Sequence, residues 1–434
     1  MKKLDTPQDA TVVTIDPRRT LGPIRPMNAV NNGPAAPNDA DFVRCNFHSY
    51  KAARIPYARI HDSNHCVNYG APHTVDVTAI FPDFDADVDD PASYDFEITD
   101  KYLGTIVAAG TEVFFRLGQS IRVFGKKDDI MPPKDNGKWA SICEHIVRHY
   151  TEGWANGHKW RITYWEIWNE PDLGVPADGS DVCYDPHTWG GTSTQFFDLF
   201  RVAVTHLKKC FPHLKFGGPA LAGLDWADPF LAYMRKHKVP IDFFTWHRYD
   251  TSPRSIASLC DIARGKLDKH GYMKTESILD EWNYVKDWGP SQAYAYQVKT
   301  DRHDPKAAAF VAGTISACQD KPLDMLMYYD ARVGTVYNGM FDIVTLEPLK
   351  GYYPFYAWSK LRDLGTQVES RVDWCARRPC CDIVEDDRDD TYATAAVSKN
   401  GRHGAVLVTR YNFDNNVTWH RRVRVRLAGG AKFG

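Results

Sequence analysis

The sequence predicts an α/β protein: a (β/α)8 TIM barrel with a small accessory antiparallel β-sandwich. Three observations carry this expectation. Eight short runs rich in β-formers are spaced through the middle of the chain, amphipathic helical stretches separate them, and the pattern changes to two-residue alternation near the C-terminus. Strand followed by helix, repeated, builds a parallel sheet, and eight such units close into a barrel.

Taken in order, Thr11–Ile15 reads as a strand ahead of the barrel. The barrel strands are Arg25–Val30, Tyr57–His61, Glu112–Leu117, Thr163–Trp168, Lys215–Gly218, Asp242–His247, Ser277–Glu281 and Met325–Tyr329. Between them, WASICEHIVRHYTEGW (139–154) and TQFFDLFRVAVTHLKKC (194–210) place apolar side chains at helical spacing. The acidic run FPDFDADVDDPASYDFEITD (81–100) lacks the ligand spacing of an EF-hand and reads as a solvated surface loop near the active face. After about Gly365, the runs TYATAAVSK, GAVLVTRYN and VTWHRRVRVRL alternate with a period of two, with a turn at Asn400-Gly401. The expected division is 1–20 for an N-terminal strand joining the sandwich, 21–365 for the catalytic barrel and 366–434 for the C-terminal module.

Composition narrows the function. The chain has 434 residues, 43% of them hydrophobic, enough for a large core. Its 53 basic and 55 acidic residues leave a formal charge of −2, which offers no basic excess for nucleic acid. Arg421, Arg422, Arg424 and Arg426 fall in an alternating run and read as a solvated strand face. Aromatics reach 13%, with 13 Trp and 22 Tyr, and flat rings with polar edges suit the faces of sugars. No eighteen-residue apolar stretch exists, so no membrane partner is expected. The ten cysteines are irregularly spaced without a CxxC pair and read as free thiols of a reducing compartment. In the run Cys375 to Cys381, a disulfide would follow only from export. MKKLDTPQDATVV lacks an apolar signal core, and the expected location is cytoplasmic.

The strongest local signal is YWEIWNEPDL (164–173). Proline cannot continue a ladder, so the strand stops and Glu170 lies at the barrel rim. Between Trp168 and Pro171 it would be partly desolvated, which suits a general acid, and Asn169 offers an amide to a sugar hydroxyl. A second apolar strand ends in an acid at Glu281, within SILDEWN, followed by Trp282. Strands four and seven face each other across a barrel mouth, so these two carboxylates can flank one glycosidic bond. By the two-residue period Asp280 should point away from Glu281 and serve a structural role. His247 and Tyr249 share a face and should enter the same cavity, the tyrosine donating to the nucleophile. His61 and Asp62 end strand two, and Tyr329, Asp330 and Arg332 stand at the end of strand eight, as further substrate-pocket candidates.

These residues resemble glycoside hydrolase family 39 of the clan A barrels, which includes β-xylosidases and α-L-iduronidases. The likeness runs through RPMNAVNNGP, ARIHD, YWEIWNEPDL, FFTWHRYD and LDEWN. It implies Glu170 as acid/base, Glu281 as nucleophile, Asn169 on the sugar 2-hydroxyl, and His247 with Tyr249 as substrate wall. It also implies an N-terminal strand completing a C-terminal sandwich. Two positions depart from the family: Asp280 stands where a Thr usually precedes the nucleophile, and YYDARVGTVYNGMFD differs from the xylosidase version of strand eight.

The expected activity is therefore a retaining exo-glycosidase on a neutral sugar, β-xylosidase-like, needing no metal and no organic cofactor and acting on a glycoside or oligosaccharide. Arg248 and Arg332 keep a uronide-cleaving alternative open, although a neutral Tyr249 stands where a lysine would favour a uronide. The readings from other classes are a metal-dependent barrel hydrolase using His61, His65 and His247, and a non-catalytic carbohydrate-binding barrel.

Overall fold

The computed structural model describes residues 10–36, 45–62, 73–123, 125–176, 185–333, 337, 339–373, 389–415 and 422–430. In chain order the strands are β1 (Ala10–Pro23), β2 (Ala29–Asn31), β3 (Tyr57–Ile60), β4 (Glu112–Leu117), β5 (Tyr164–Ile167), β6 (Lys215–Leu221), β7 (Phe243–Asp250), β8 (Glu276–Tyr284), β9 (Met325–Tyr328), β10 (Thr366–Asp373), β11 (Asp389–Val397), β12 (Gly404–Asn412) and β13 (Arg422–Leu427). Strands β2 to β9 close into a parallel barrel in sequence order. The remaining five form a separate curled sheet in the order β12-β11-β10-β1-β13.

Local chemistry explains where the elements start and stop. Thr192 and Gln195 bond each other's backbone amides at the start of helix Ser193–Cys210. Helix Asn136–Thr151 starts from Asp135, which accepts from the amides of Gly137 and Lys138. It ends earlier than the apolar spacing predicts because Gly153 adopts φ +85°, a left-handed stop. The first barrel strand is likewise shorter than expected, Ala29–Asn31 against Arg25–Val30, since Pro26 has no amide to give a ladder. Strands β7 and β8 run longer than expected and carry paired residues past the rim, from His247 opposite Glu281 to Asp250 opposite Tyr284.

The acidic run 81–100 is solvated only in part. Phe81, Tyr94 and Phe96 are buried, and its last four residues begin helix Glu97–Ala108. In the accessory sheet, Val13, Ile15, Val368, Ala393, Ala395 and Val397 pack together. One pairing there, β1 with β13, is parallel where alternation alone suggested antiparallel neighbours. Of the arginine cluster, Arg422, Arg424 and Arg426 are exposed on β13, and Arg421 lies outside the described residues. Cys45, Cys143, Cys210, Cys260 and Cys318 are free, while the Cys375–Cys381 run lies outside the described residues. Among those residues no helix is long and apolar enough to cross a membrane.

Inside the barrel the side chains form layers. Ala29, Phe114, Tyr164, Phe243, Ile278, Met325 and Met327 make an apolar floor. Two residues further along the same strands stand Asn31, Arg116, Glu166, Thr245 and Asp280, joined by Arg59 from β3, all fully buried. This polar layer is the platform on which the site is built.

Candidate active site

The rim turn after β5 is held in a costly backbone shape. Trp168 and Glu170 sit at φ 74° and 44°, a region disfavoured for side chains with a Cβ. Several contacts impose it. The Trp168 amide donates to Leu117 O at 2.7 Å, the Glu170 amide to Ala220 O at 2.8 Å, and Thr188 Oγ1 to Glu170 O at 2.5 Å. Gly118 makes room for the turn, because a Cβ there would stand 2.7 Å from Trp168 Cα. Asp172 accepts from the amides of Ala222 and Gly223, and burial pushes its pKa up to about 7. The Glu170 carboxylate is thereby aimed across the mouth and is only 8% exposed.

On the facing wall β8 carries a bulge. Leu279 pairs with Trp246 and Glu281 with His247, while on the other side Leu279 pairs with Leu326 and Trp282 with Tyr328. Both neighbours therefore count one extra residue in β8 between Leu279 and Trp282. The bulge overturns the expectation that Asp280 points away from Glu281. Both carboxylates reach Arg59, at 3.0 Å and 2.7 Å, and both approach His247, each at 3.5 Å. It also corrects the expectation for Trp282. That ring packs on Phe310 and Tyr328, on the side facing the helices, and has no place at the glutamates.

Glu281 Oε1 accepts from Arg59 Nη1 at 2.7 Å and Oε2 from the Tyr249 hydroxyl at 2.7 Å. Burial alone would raise its pKa, but His247, His61 and Arg59 outweigh burial and hold it below the usual value, so it is an anion at neutral pH. Burial pushes the Tyr249 hydroxyl well above its ordinary range, and it stays a donor. His247 Nδ1 lies 2.8 Å from Glu170 Oε1, and its Nε2 faces Asp280. Burial would lower the pKa of this imidazole, yet the charges of Glu281 and Asp280 raise it well above the normal value.

Sequence reasoning missed two members of the platform. Arg59 donates to Glu166 at 2.6 Å, to Asn31 at 3.0 Å, to Glu281 at 2.7 Å and to Asn169 Oδ1 at 2.8 Å. Its guanidinium fork orients Asn169 so that the other half of that amide, Nδ2, is left buried without a hydrogen-bond partner. Glu166 is pushed up to about 8, by burial first and by Asp280, and it carries a proton at neutral pH. The available signal was a charged residue at an inward position of each strand, Arg59 two before His61 and Glu166 two before Trp168.

The other candidates lie on one flank. His61 Nε2 is 3.8 Å from Glu281 Oε1 and its Nδ1 is 3.1 Å from Asp62. Tyr329 donates to Asp62 at 2.6 Å and meets the His61 ring edge-on. Asp330 is wholly buried, accepts from Asn32 at 2.7 Å, and is raised to about 7 by burial. Arg332 stands 3.2 Å from Asp62. Arg248 is turned onto Asp250 at 2.6 Å. His65 lies outside the described residues. A further residue that the sequence reading overlooked is Trp288, 61% exposed, whose ring meets Tyr249 edge-on at 5.1 Å.

One oxygen of Glu170, one of Glu281 and a nitrogen of His247 lie within 4.8 Å of one another. An approach this close suits a pair that acts by double displacement, whose carboxyl groups stand about 5–5.5 Å apart, better than an inverting pair at roughly 6.5–9.5 Å.

Comparison with known proteins places this arrangement in context. A β-xylosidase of Caldicellulosiruptor saccharolyticus is 26% identical over 284 residues, covering 62% of this chain. The aligned part is 54% of that relative, so the chain spans about half the length of the curated relative it matches. Among solved structures, a glucosidase from Croceicoccus marinus superposes with a TM-score of 0.70 at 23% identity, over 93% of this chain and 78% of that one. A GH39 β-xylosidase from Caulobacter crescentus gives 0.61 at 17% identity, over 96% and 83%. The sequence profile of the Glycosyl hydrolases family 39 matches residues 11–343, which takes in β2 to β9 and both glutamates, and the chain belongs to that family.

Proposed function

We propose that this protein is a retaining exo-β-glycosidase acting on a neutral pyranoside, β-xylosidase-like in its sugar. The carrying observation is the close approach of Glu170 and Glu281, with Glu281 held ionised by His247, His61 and Arg59.

In the first step Glu281 attacks the anomeric carbon as the bond to the leaving oxygen breaks, and Glu170 gives its proton to that oxygen. In the second step Glu170 takes a proton from water, the water oxygen bonds the anomeric carbon, and the ester to Glu281 breaks. Asn169 Nδ2, fixed by Arg59, binds the sugar 2-hydroxyl. Tyr249 shares its hydrogen bond with the departing charge on Glu281.

A neutral sugar is supported by the commitment of the two cations that a uronide would need. Arg248 bonds Asp250, and Arg332 stands between Asp62 and Asp330. The names β-xylosidase and glucosidase carried by the relatives point the same way. The test is hydrolysis of a panel of aryl glycosides with the first-formed anomer read by proton NMR. Retention on a neutral β-glycoside is expected. Inversion, or turnover of uronides alone, would overturn the reading.

A further inference from the structure

On the outer layer of the barrel, away from the mouth, helix Glu97–Ala108 meets the end of helix Asn136–Thr151 and the loop that follows it. Asp100, His149 and His158 converge there. Asp100 Oδ1 lies 3.1 Å from His149 Nε2 and Asp100 Oδ2 lies 3.3 Å from His158 Nε2. One ligating atom from each of the three lies within 4.8 Å of the others. Two ligands of a tetrahedral zinc ion, each about 2.0–2.1 Å from the metal, stand roughly 3.3 Å apart.

Both imidazoles are fixed in orientation. Phe96 stacks on His149 at 3.5 Å and Trp160 on His158 at 3.8 Å. Trp154 O lies 2.9 Å from His149 Nδ1 and can only accept, so it takes the Nδ1 proton. In the neutral ring this leaves the Nε2 lone pair facing the Asp100 carboxylate, so a positive charge, either a ring proton or a metal ion, belongs between them. Backbone support of this kind is what metal-binding histidines use. His158 Nε2 is shut off from solvent and makes no hydrogen bond. The loop also presses on His149: a Cβ at Gly157 would stand 2.5 Å from its Nδ1, and Ala155 and Asn156 adopt left-handed φ of 55° and 56° to bring the chain back.

A second cluster, Glu144, His206 and Cys210, has similar spacing. There Arg148 already holds Glu144 Oε1 through two hydrogen bonds at 2.8 and 2.7 Å, which puts a fixed positive charge beside any incoming ion.

We propose that Asp100, His149 and His158 bind a zinc ion, with water completing the coordination. The ion clamps helix Glu97–Ala108 to the 152–158 loop and plays no part in glycoside cleavage. The ligand set of two imidazoles and a carboxylate suits zinc and its neighbours over calcium or magnesium.

The experiment uses the whole chain, stripped with a chelator and titrated with zinc chloride by calorimetry, with melting temperature followed in parallel. Cobalt then replaces zinc for the visible spectrum. Saturable binding by the wild type is expected, with a melting temperature that rises as the site fills. His158→Ala, at a partly exposed position, should weaken binding by at least about tenfold while melting close to the stripped wild type. Aryl glycoside hydrolysis should be the same before and after stripping. Three outcomes would each overturn the proposal: no saturable binding, unaltered binding by His158→Ala, or a thiolate-to-cobalt charge-transfer band that disappears in Cys210→Ser.

Discussion

Asp280 and Glu281 are consecutive in the chain, yet both carboxylates enter the barrel and share Arg59 and His247. The bulge in β8 makes this possible, and it places a permanent negative charge directly behind the nucleophile candidate. Asp280 is held below its ordinary pKa: burial opposes this, but Arg59 and His247 prevail.

Replacing Asp280 with Asn keeps the shape and removes the charge. His247 should then titrate at lower pH, because Asp280 is one of the two charges that raise it. Glu166 should fall from about 8, since Asp280 also raises that group. Stability should drop by up to about 3–5 kcal/mol, the range for breaking a buried ion pair. Imidazole NMR titration checks the first point, and an unchanged His247 titration would remove the coupling.

Glu281→Gln should leave no measurable turnover. Glu170→Ala should lose roughly 10²–10⁴-fold on poor leaving groups and much less on activated aryl glycosides. Azide should restore rate to Glu170→Ala alone, giving a glycosyl azide of retained configuration. Rescue of the Glu281 variant instead would exchange the two roles.

Stability should decline as pH rises from about 4.5 to about 8, through Glu166. Its carboxyl is raised in the folded chain, so the folded state holds a proton that the unfolded state has released, and unfolding gains as pH climbs. Asp330 and Asp172, both raised to about 7, act in the same direction. Glu166→Gln should flatten the slope of melting temperature against pH across this window, and an equally steep slope in that variant would assign the effect elsewhere.

Gly118→Ala and Gly265→Ala make a contrasting pair. At Gly118 the added Cβ meets Trp168 Cα at 2.7 Å and displaces the turn carrying Asn169 and Glu170, so kcat should fall about 10²-fold. At Gly265, within helix Pro253–Lys269, a Cβ meets nothing within 4 Å, and alanine should stabilise by up to about 1 kcal/mol with activity intact.

Trp288→Ala should raise KM by roughly 2- to 12-fold with kcat nearly unchanged, corresponding to about 0.5–1.5 kcal/mol of aromatic packing on the sugar or its leaving group. The ring is exposed beside Tyr249, so its loss should leave the melting temperature in place.

The strands, helices and rim positions were legible in the chain because their causes are local. Pro171 ends a ladder after Glu170, the period of two puts His247 and Tyr249 on one face, and apolar residues at helical spacing mark the segment 194–210 as a helix. The direction of Asp280 and Trp282 was not legible, because a bulge exists only in relation to two neighbouring strands that the local pattern does not contain. The same holds for Arg59, whose guanidinium finds Glu166, Asn31, Asn169 and Glu281 by hydrogen bonds and Asp280 by charge only once the barrel has closed. Sequence by itself determined which side chains stand at strand ends. Tertiary structure decided which of them meet, since burial and charge in that closed interior depend on partners from 28 to 222 residues away.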